Sequence, residues 1–161
     1  MERANAFQFK GNVTLVGPEL KVGDKAPAFS VIANDLSTVD SSAYAGKVRI
    51  INSVPSLDTG VCDTQTRKFN QAAAELGDNI VVLTISADLP FAQKRWCGAA
   101  GDYRDHAFSK AFGTYIKEWG LCSRAVFVVD STDTVVHAEY VPAAGQEPNY
   151  DAALEAARAA K

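Results

Sequence analysis

The chain has 161 residues, the length of one typical domain, and can bury a core without help from a disulfide or a metal. Apolar residues make up 47% and charged residues 22%, which excludes a disordered, fibrous or coiled-coil protein. With 16 basic against 19 acidic side chains the net charge is −3, which argues against nucleic acid as a partner.

No stretch reaches the ~18 consecutive apolar residues of a membrane span, and no apolar run of signal-peptide length follows Met1. A cytoplasmic protein that avoids membranes is the expectation. Its three cysteines, Cys62, Cys97 and Cys122, form no CxxC pair, and His106 and His137 stand in no zinc spacing. Neither metal nor cofactor is therefore expected. In a reducing compartment, a bond between two of these cysteines is transient and catalytic rather than structural.

In chain order, Phe7 to Lys10 and Val13 to Val16 alternate on either side of Gly11-Asn12, which predicts a hairpin over about residues 6–17 as an appendage to the main fold. Pro18, Gly23 and Pro27 punctuate a loop, and Phe29 to Ile32 is a short strand. Val48 to Val54 reads as a buried strand stopped by Pro55. Residues 60–76 follow as a helix with Cys62, Thr66, Phe69, Ala73 and Leu76 on one face. Ile80 to Ser86 is a β-branched strand, and Pro90 opens a shorter helix that Gly98 closes. Residues 99–120 give a weak pattern, with a short helix near Ser109 to Phe112. Arg124 to Val129 and Val135 to Val141 form two late strands, and an Ala-rich helix over Tyr150 to Ala160 closes the chain. The sum is one α/β domain over residues 1–161, with a mixed central sheet flanked by helices.

The junction Pro55-Ser56-Leu57-Asp58-Thr59-Gly60-Val61-Cys62 holds the first candidate for chemistry. Asp58 or Thr59 is suited to cap the helix, which puts Cys62 in its first turn, beside unpaired N–H groups and the positive end of the dipole. Thiols so placed ionise more readily than free ones. Thr59, three residues earlier, can bring its hydroxyl to the sulfur. The plain alternative is a core cysteine on the helix's apolar face. Asp63 opposes the reactive reading, since its charge disfavours a neighbouring thiolate.

Pro55, Thr59 and Cys62 together make Pro-x-x-x-Thr-x-x-Cys, which resembles the active-site signature of the peroxiredoxins. Arg67-Lys68-Phe69-Asn70, Ile85 to Gln93, Trp96-Cys97-Gly98 and Arg124 to Asp130 are similar to the bacterial thiol peroxidase branch of that family. The likeness runs from about residue 12 to the C-terminus. It implies a thioredoxin-like fold with an N-terminal hairpin, and a homodimer. It implies Cys62 as peroxidatic nucleophile, Cys97 as resolving cysteine of the same chain, and an intramolecular disulfide recycled by thioredoxin. Thr59 then bonds the thiolate and the incoming peroxide, Arg124 holds the thiolate charged and polarises the O–O bond, and Pro55 shields the sulfur from water. One departure is Val54, where many relatives carry an aromatic residue, and this bears on the shape of the peroxide pocket.

Cys97 ends a helix of about two turns, and helices so short are marginal without tertiary support. Because a disulfide requires Cα atoms within about 7 Å, a more distant resting pair must unwind to meet. Arg124 opens an apolar strand, an unusual place for arginine unless it meets a carboxylate or another anion. Cys122 reads as a packing or exposed thiol, and both histidines as structural or surface residues rather than ligands. The leading function is reduction of hydrogen peroxide and alkyl hydroperoxides. A redox relay acting through the same disulfide is the second, and a general thiol–disulfide oxidoreductase, disfavoured by the missing CxxC, the third.

Overall fold

The computed structural model describes residues 1–96 and 99–160. Among the described residues its main sheet has seven strands, in the order β11 (Val135–Tyr140), β10 (Ala125–Val129), β5 (Val48–Ser53), β6 (Ile80–Ser86), β7 (Ala99–Gly101), β3 (Ser30–Ile32) and β4 (Thr38–Asp40). Strand β5, Val48–Ser53, is central and all six of its residues are buried, as expected of a strand covered on both faces. It runs parallel to β6, Ile80–Ser86, and antiparallel to β10, Ala125–Val129, which pairs in turn with β11, Val135–Tyr140. The sheet is therefore mixed, as the sequence implied.

Alternation along these strands sorts the core into two layers. Ile50, Val126 and Val128 point to one face, where they pack with Phe69 and Leu76 of α1, Gly60–Leu76, and with Ala153 and Ala157 of α4, Tyr150–Ala159. Ile51, Ala125, Phe127 and Val129 point to the other, against Phe108 and Phe112 at α3, Ala107–Ala111. Helix α1 has the predicted bounds, and its buried residues include Cys62, Thr66, Phe69 and Leu76 from the predicted face. Asn149 caps α4 with its side chain, accepting from the Ala152 N–H at 3.1 Å.

Several elements differ from the sequence reading. Strand β1 spans Glu2–Gln8, longer than the alternation suggests, and pairs with β2, Asn12–Val16, through a register shift between Arg3 and Phe7. This hairpin is no appendage. β2 continues into β8, Tyr115–Ile116, and β9, Leu121–Cys122, forming a four-stranded sheet with its own cluster of Phe7, Val13, Leu15 and Ile116. Helix α2 covers only Pro90–Gln93, because the chain tightens at Trp96, whose N–H bonds the Gln93 carbonyl at 2.8 Å. Cys97 and Gly98, the expected end of that helix, lie outside the described residues. Beyond them β7, Ala99–Gly101, joins the sheet beside β6. β3, Ser30–Ile32, and β4, Thr38–Asp40, complete its edge.

Candidate active site

Strand direction brings three distant segments to one end of the main sheet. Ser53 pairs with Ile85 in parallel β6, so the residues after both strands leave from the same end. Ser53 also faces Ala125 across antiparallel β10, so the residue before β10 lies there too. Pro55 to Cys62, Ser86 to Asp88 and Arg124 consequently converge at the carboxyl end of the parallel strands, where open α/β sheets place their sites.

Cys62 is the third residue of α1 and is 0% exposed. Its neighbours in the local apolar cluster are Val54, Leu57 and Ala99, with Trp96 packed against them. Val54 thus forms part of the wall around the sulfur, and Pro55 beside it is buried. The polar side is supplied by Arg124, itself only 1% exposed. Its Nη2 donates to Cys62 Sγ at 3.2 Å and to the Ala144 carbonyl at 2.7 Å, and its Nη1 donates to Gln65 Oε1. None of these acceptors is a carboxylate. A buried guanidinium demands a partner for its charge, and among the described residues the one ionisable group that it hydrogen-bonds is the Cys62 sulfur.

Behind Arg124 stands a chain of buried polar groups that sequence reasoning missed. Gln65 Nε2 donates to Asn52 Oδ1, and Asn52 Nδ2 donates to Thr84 Oγ1 at 3.3 Å. All three side chains are buried. A detectable signal existed: Gln65 lies three residues beyond Cys62 on the inward face, and Asn52 interrupts an apolar strand.

Thr59 is the N-cap of α1 with extended backbone, φ −99° and ψ 147°, but its side chain makes no capping bond. The hydroxyl donates instead to the Ser56 carbonyl at 3.2 Å. Asp58 pairs with Arg95, and Asp63 with Arg67 at 2.9 Å, so both carboxylates beside the cysteine are engaged by guanidinium groups. A surface pocket of about 440 Å³ opens at the start of α1, with Leu57, Thr59, Gly60 and Trp96 among its walls. Leu57 and Trp96 belong both to this lining and to the apolar cluster around Cys62, which does not itself line the pocket. The Arg67 guanidinium lies over the Trp96 ring, 5.0 Å from its centroid.

The remaining candidates sit in structural surroundings. Cys122 is buried in β9, and burial pushes its thiol well above the ordinary value, with the Asp102 carboxylate acting in the same direction. His106 is left-handed at φ 57°, just before α3, and its ring lies against Tyr115. His137 stands 3.7 Å from Glu139 on β11, and burial holds its imidazole below the usual value.

A buried cysteine at the first turn of a helix, held by a guanidinium on a mixed sheet of thioredoxin-like type, defines a thiol-based redox protein. Residues 21–154 match the Redoxin family, and the chain belongs to it. It is 57% identical to a thiol peroxidase of Halalkalibacterium halodurans, over 96% of this chain and 98% of that protein. A thiol peroxidase of Bacillus subtilis is 56% identical over 94% of this chain and 95% of its own length. Among solved structures, a peroxiredoxin-like protein from Aquifex aeolicus superposes with a TM-score of 0.89 at 39% identity, covering 98% of each chain.

Proposed function

We propose that the chain is a thiol peroxidase that reduces hydrogen peroxide and alkyl hydroperoxides at Cys62. The observation carrying this reading is the buried Arg124 guanidinium 3.2 Å from the sulfur, with no carboxylate among its hydrogen-bond acceptors in the described residues. A cation so placed stabilises a thiolate, and the same donors meet charge developing on the peroxide. The thiolate attacks one peroxide oxygen, the O–O bond breaks, and the leaving alkoxide or hydroxide takes a proton from solvent. Cys62 becomes a sulfenic acid and the peroxide is reduced to alcohol or water. Peroxide enters through the pocket under Leu57 and Trp96. Thr59 receives it there, because a hydroxyl that donates to Ser56 still offers its lone pairs to a peroxide O–H. Buried Pro55 keeps water from the thiolate.

Cys97 is the resolving partner. Its thiol condenses with the sulfenic acid, forming the Cys62–Cys97 disulfide and releasing water. Thioredoxin, a dithiol, then reduces that bond and is itself oxidised to a disulfide. We read residues 1–161 as one domain working in the cytoplasm as a homodimer. The domain reading is supported by the N-terminal hairpin, whose strand β2 pairs with residues as late as Ile116. Among the described residues no helix is long and apolar enough to cross a membrane.

The test combines mapping with kinetics. After one equivalent of peroxide, non-reducing peptide mapping yields Cys62 joined to Cys97 within the chain and leaves Cys122 free. The Cys97→Ser variant reduces one equivalent at the parent rate, then stalls as a sulfenic acid that thioredoxin does not recycle. Cys62 paired with Cys122, or bridges only between chains, overturns the assignment. Sustained peroxide consumption with thioredoxin, its reductase and NADPH separates a peroxidase from a relay, which needs only one oxidation per signal.

A further inference from the structure

The segment just before α2 holds a carboxylate that the proposed chemistry does not use. Asp88 Oδ1 accepts the Ser56 hydroxyl at 2.8 Å, and Asp88 Oδ2 accepts the Leu57 N–H at 2.7 Å. The Ser86 hydroxyl donates to Oδ2 as well, at 2.8 Å, and Ser86 Oγ accepts from Gln93 Nε2 at 3.0 Å. Ser56 passes the constraint onward. Its hydroxyl oxygen accepts the Asp58 N–H at 3.3 Å, and its carbonyl accepts the Thr59 hydroxyl at 3.2 Å.

A carboxylate that only shaped the turn into α2 would need its local bonds to Ser86 and nothing more. Two of the bonds of Asp88 instead cross 31 and 32 residues of sequence, to the loop between Pro55 and Cys62. Three donors converge on its two oxygens, which suits a carboxylate. An asparagine presents one oxygen, and its NH₂ would force the Ser56 or Ser86 hydroxyl to turn from donor to acceptor.

We infer that Asp88 is a positioning residue for the peroxide-reducing step, fixing Ser56 and Leu57 so that Thr59 and the wall over Cys62 are held for attack. This rests on the peroxidase reading above. The same carboxylate also ties that loop to the start of the segment leading to Cys97, since Pro90 opens α2 two residues later. Attack therefore depends on the tie, whereas disulfide formation, in which the thiols must approach one another, does not.

The experiment measures two rates in the full chain by quench-flow and mass spectrometry: oxidation of Cys62 by hydrogen peroxide, and the disulfide formation that follows. Asp88→Asn slows oxidation about tenfold, within the ~10²-fold that small misplacements of reacting groups produce, and does not slow the disulfide step. Ser56→Ala slows oxidation less, by a few-fold. The double variant matches Asp88→Asn alone, as expected for groups acting through one contact. Oxidation at the parent rate in both single variants, whatever happens to thermal stability, overturns the inference and leaves the peroxidase reading standing. Should Asp88→Asn not fold, Ser56→Ala, which keeps the carboxylate and its bond from the Leu57 N–H and removes the hydroxyl that joins Asp88 to Ser56 and accepts from Asp58, decides the matter by the same criterion. A parent chain that peroxide does not oxidise at Cys62 overturns the peroxidase reading, and this one with it.

Discussion

Cys62 and Cys122 are equally buried, each with no exposed surface, yet their surroundings are opposite in charge. Cys62 lies in the first turn of α1 with the Arg124 guanidinium 3.2 Å from its sulfur. Cys122 lies on a two-residue strand, and the Asp102 and Asp88 carboxylates reinforce the effect of burial on its thiol. Burial alone keeps a thiol protonated and inert. On the proposed function, placing a cation beside one buried sulfur and carboxylates near the other lets one small protein hold a nucleophile and a packing residue in the same kind of dry interior. The polar chain from Arg124 through Gln65 and Asn52 to Thr84 fixes that cation in place.

The comparison breaks most visibly at Cys62 itself. Cys62→Ser is expected to abolish peroxide consumption while the fold persists, since oxygen for sulfur is a small change in volume; a steady-state peroxide assay with circular dichroism checks both. Parent-rate turnover in this variant would move the nucleophile elsewhere. Next in size is Arg124→Ala, which removes the cation and keeps the thiol. Loss of one positioned charge-stabilising donor slows the first turnover by ~10²–10³-fold. Stopped-flow oxidation by a single equivalent of peroxide reads that step without any reductase. A first turnover within a few-fold of the parent would mean that Arg124 serves packing only.

How much of this was legible depends on how far apart the interacting residues lie. β5, β6, β10, β11, α1 and α4 each extend over five or more residues, long enough for the period of their apolar positions to show. β4, β7, β8 and β9 span two or three residues and carry no period at all; pairing with neighbours from elsewhere in the chain makes them strands. The first turn of α1 was readable because a proline, a cap residue and a cysteine stand within eight positions of one another. Thr59, one of the two cap candidates, nevertheless makes no capping bond and turns its hydroxyl to the Ser56 carbonyl, three residues back. Arg124 stood out as a cation opening an apolar strand. Its partner Gln65, 59 residues away, and the bonds from Asp88 to Ser56 and Leu57 become evident only once the strands are paired.

The smallest effect tests the other half of the comparison. The folded-state value for the Cys122 thiol lies above the ordinary 9.0. Below pH 9.0 both folded and unfolded chains keep this proton, so Cys122 makes stability neither rise nor fall with pH. Above that value the unfolded chain releases the proton and the folded chain retains it. The folded state then binds more protons, and stability falls as pH rises, by at most about 1.4 kcal/mol per pH unit for one group. Serine does not titrate in this range. Urea unfolding under reducing conditions at about pH 7 and about pH 10 should therefore show Cys122→Ser losing less stability than the parent between the two. Other groups that titrate in this window are shared by both proteins and cancel, as does any uniform penalty for the substituted hydroxyl. Peroxide oxidation of Cys62 should proceed at the parent rate throughout. An equal loss of stability in the two proteins would mean that folding does not shield Cys122 from ionisation, and burial would then not separate it from Cys62 in the way argued above.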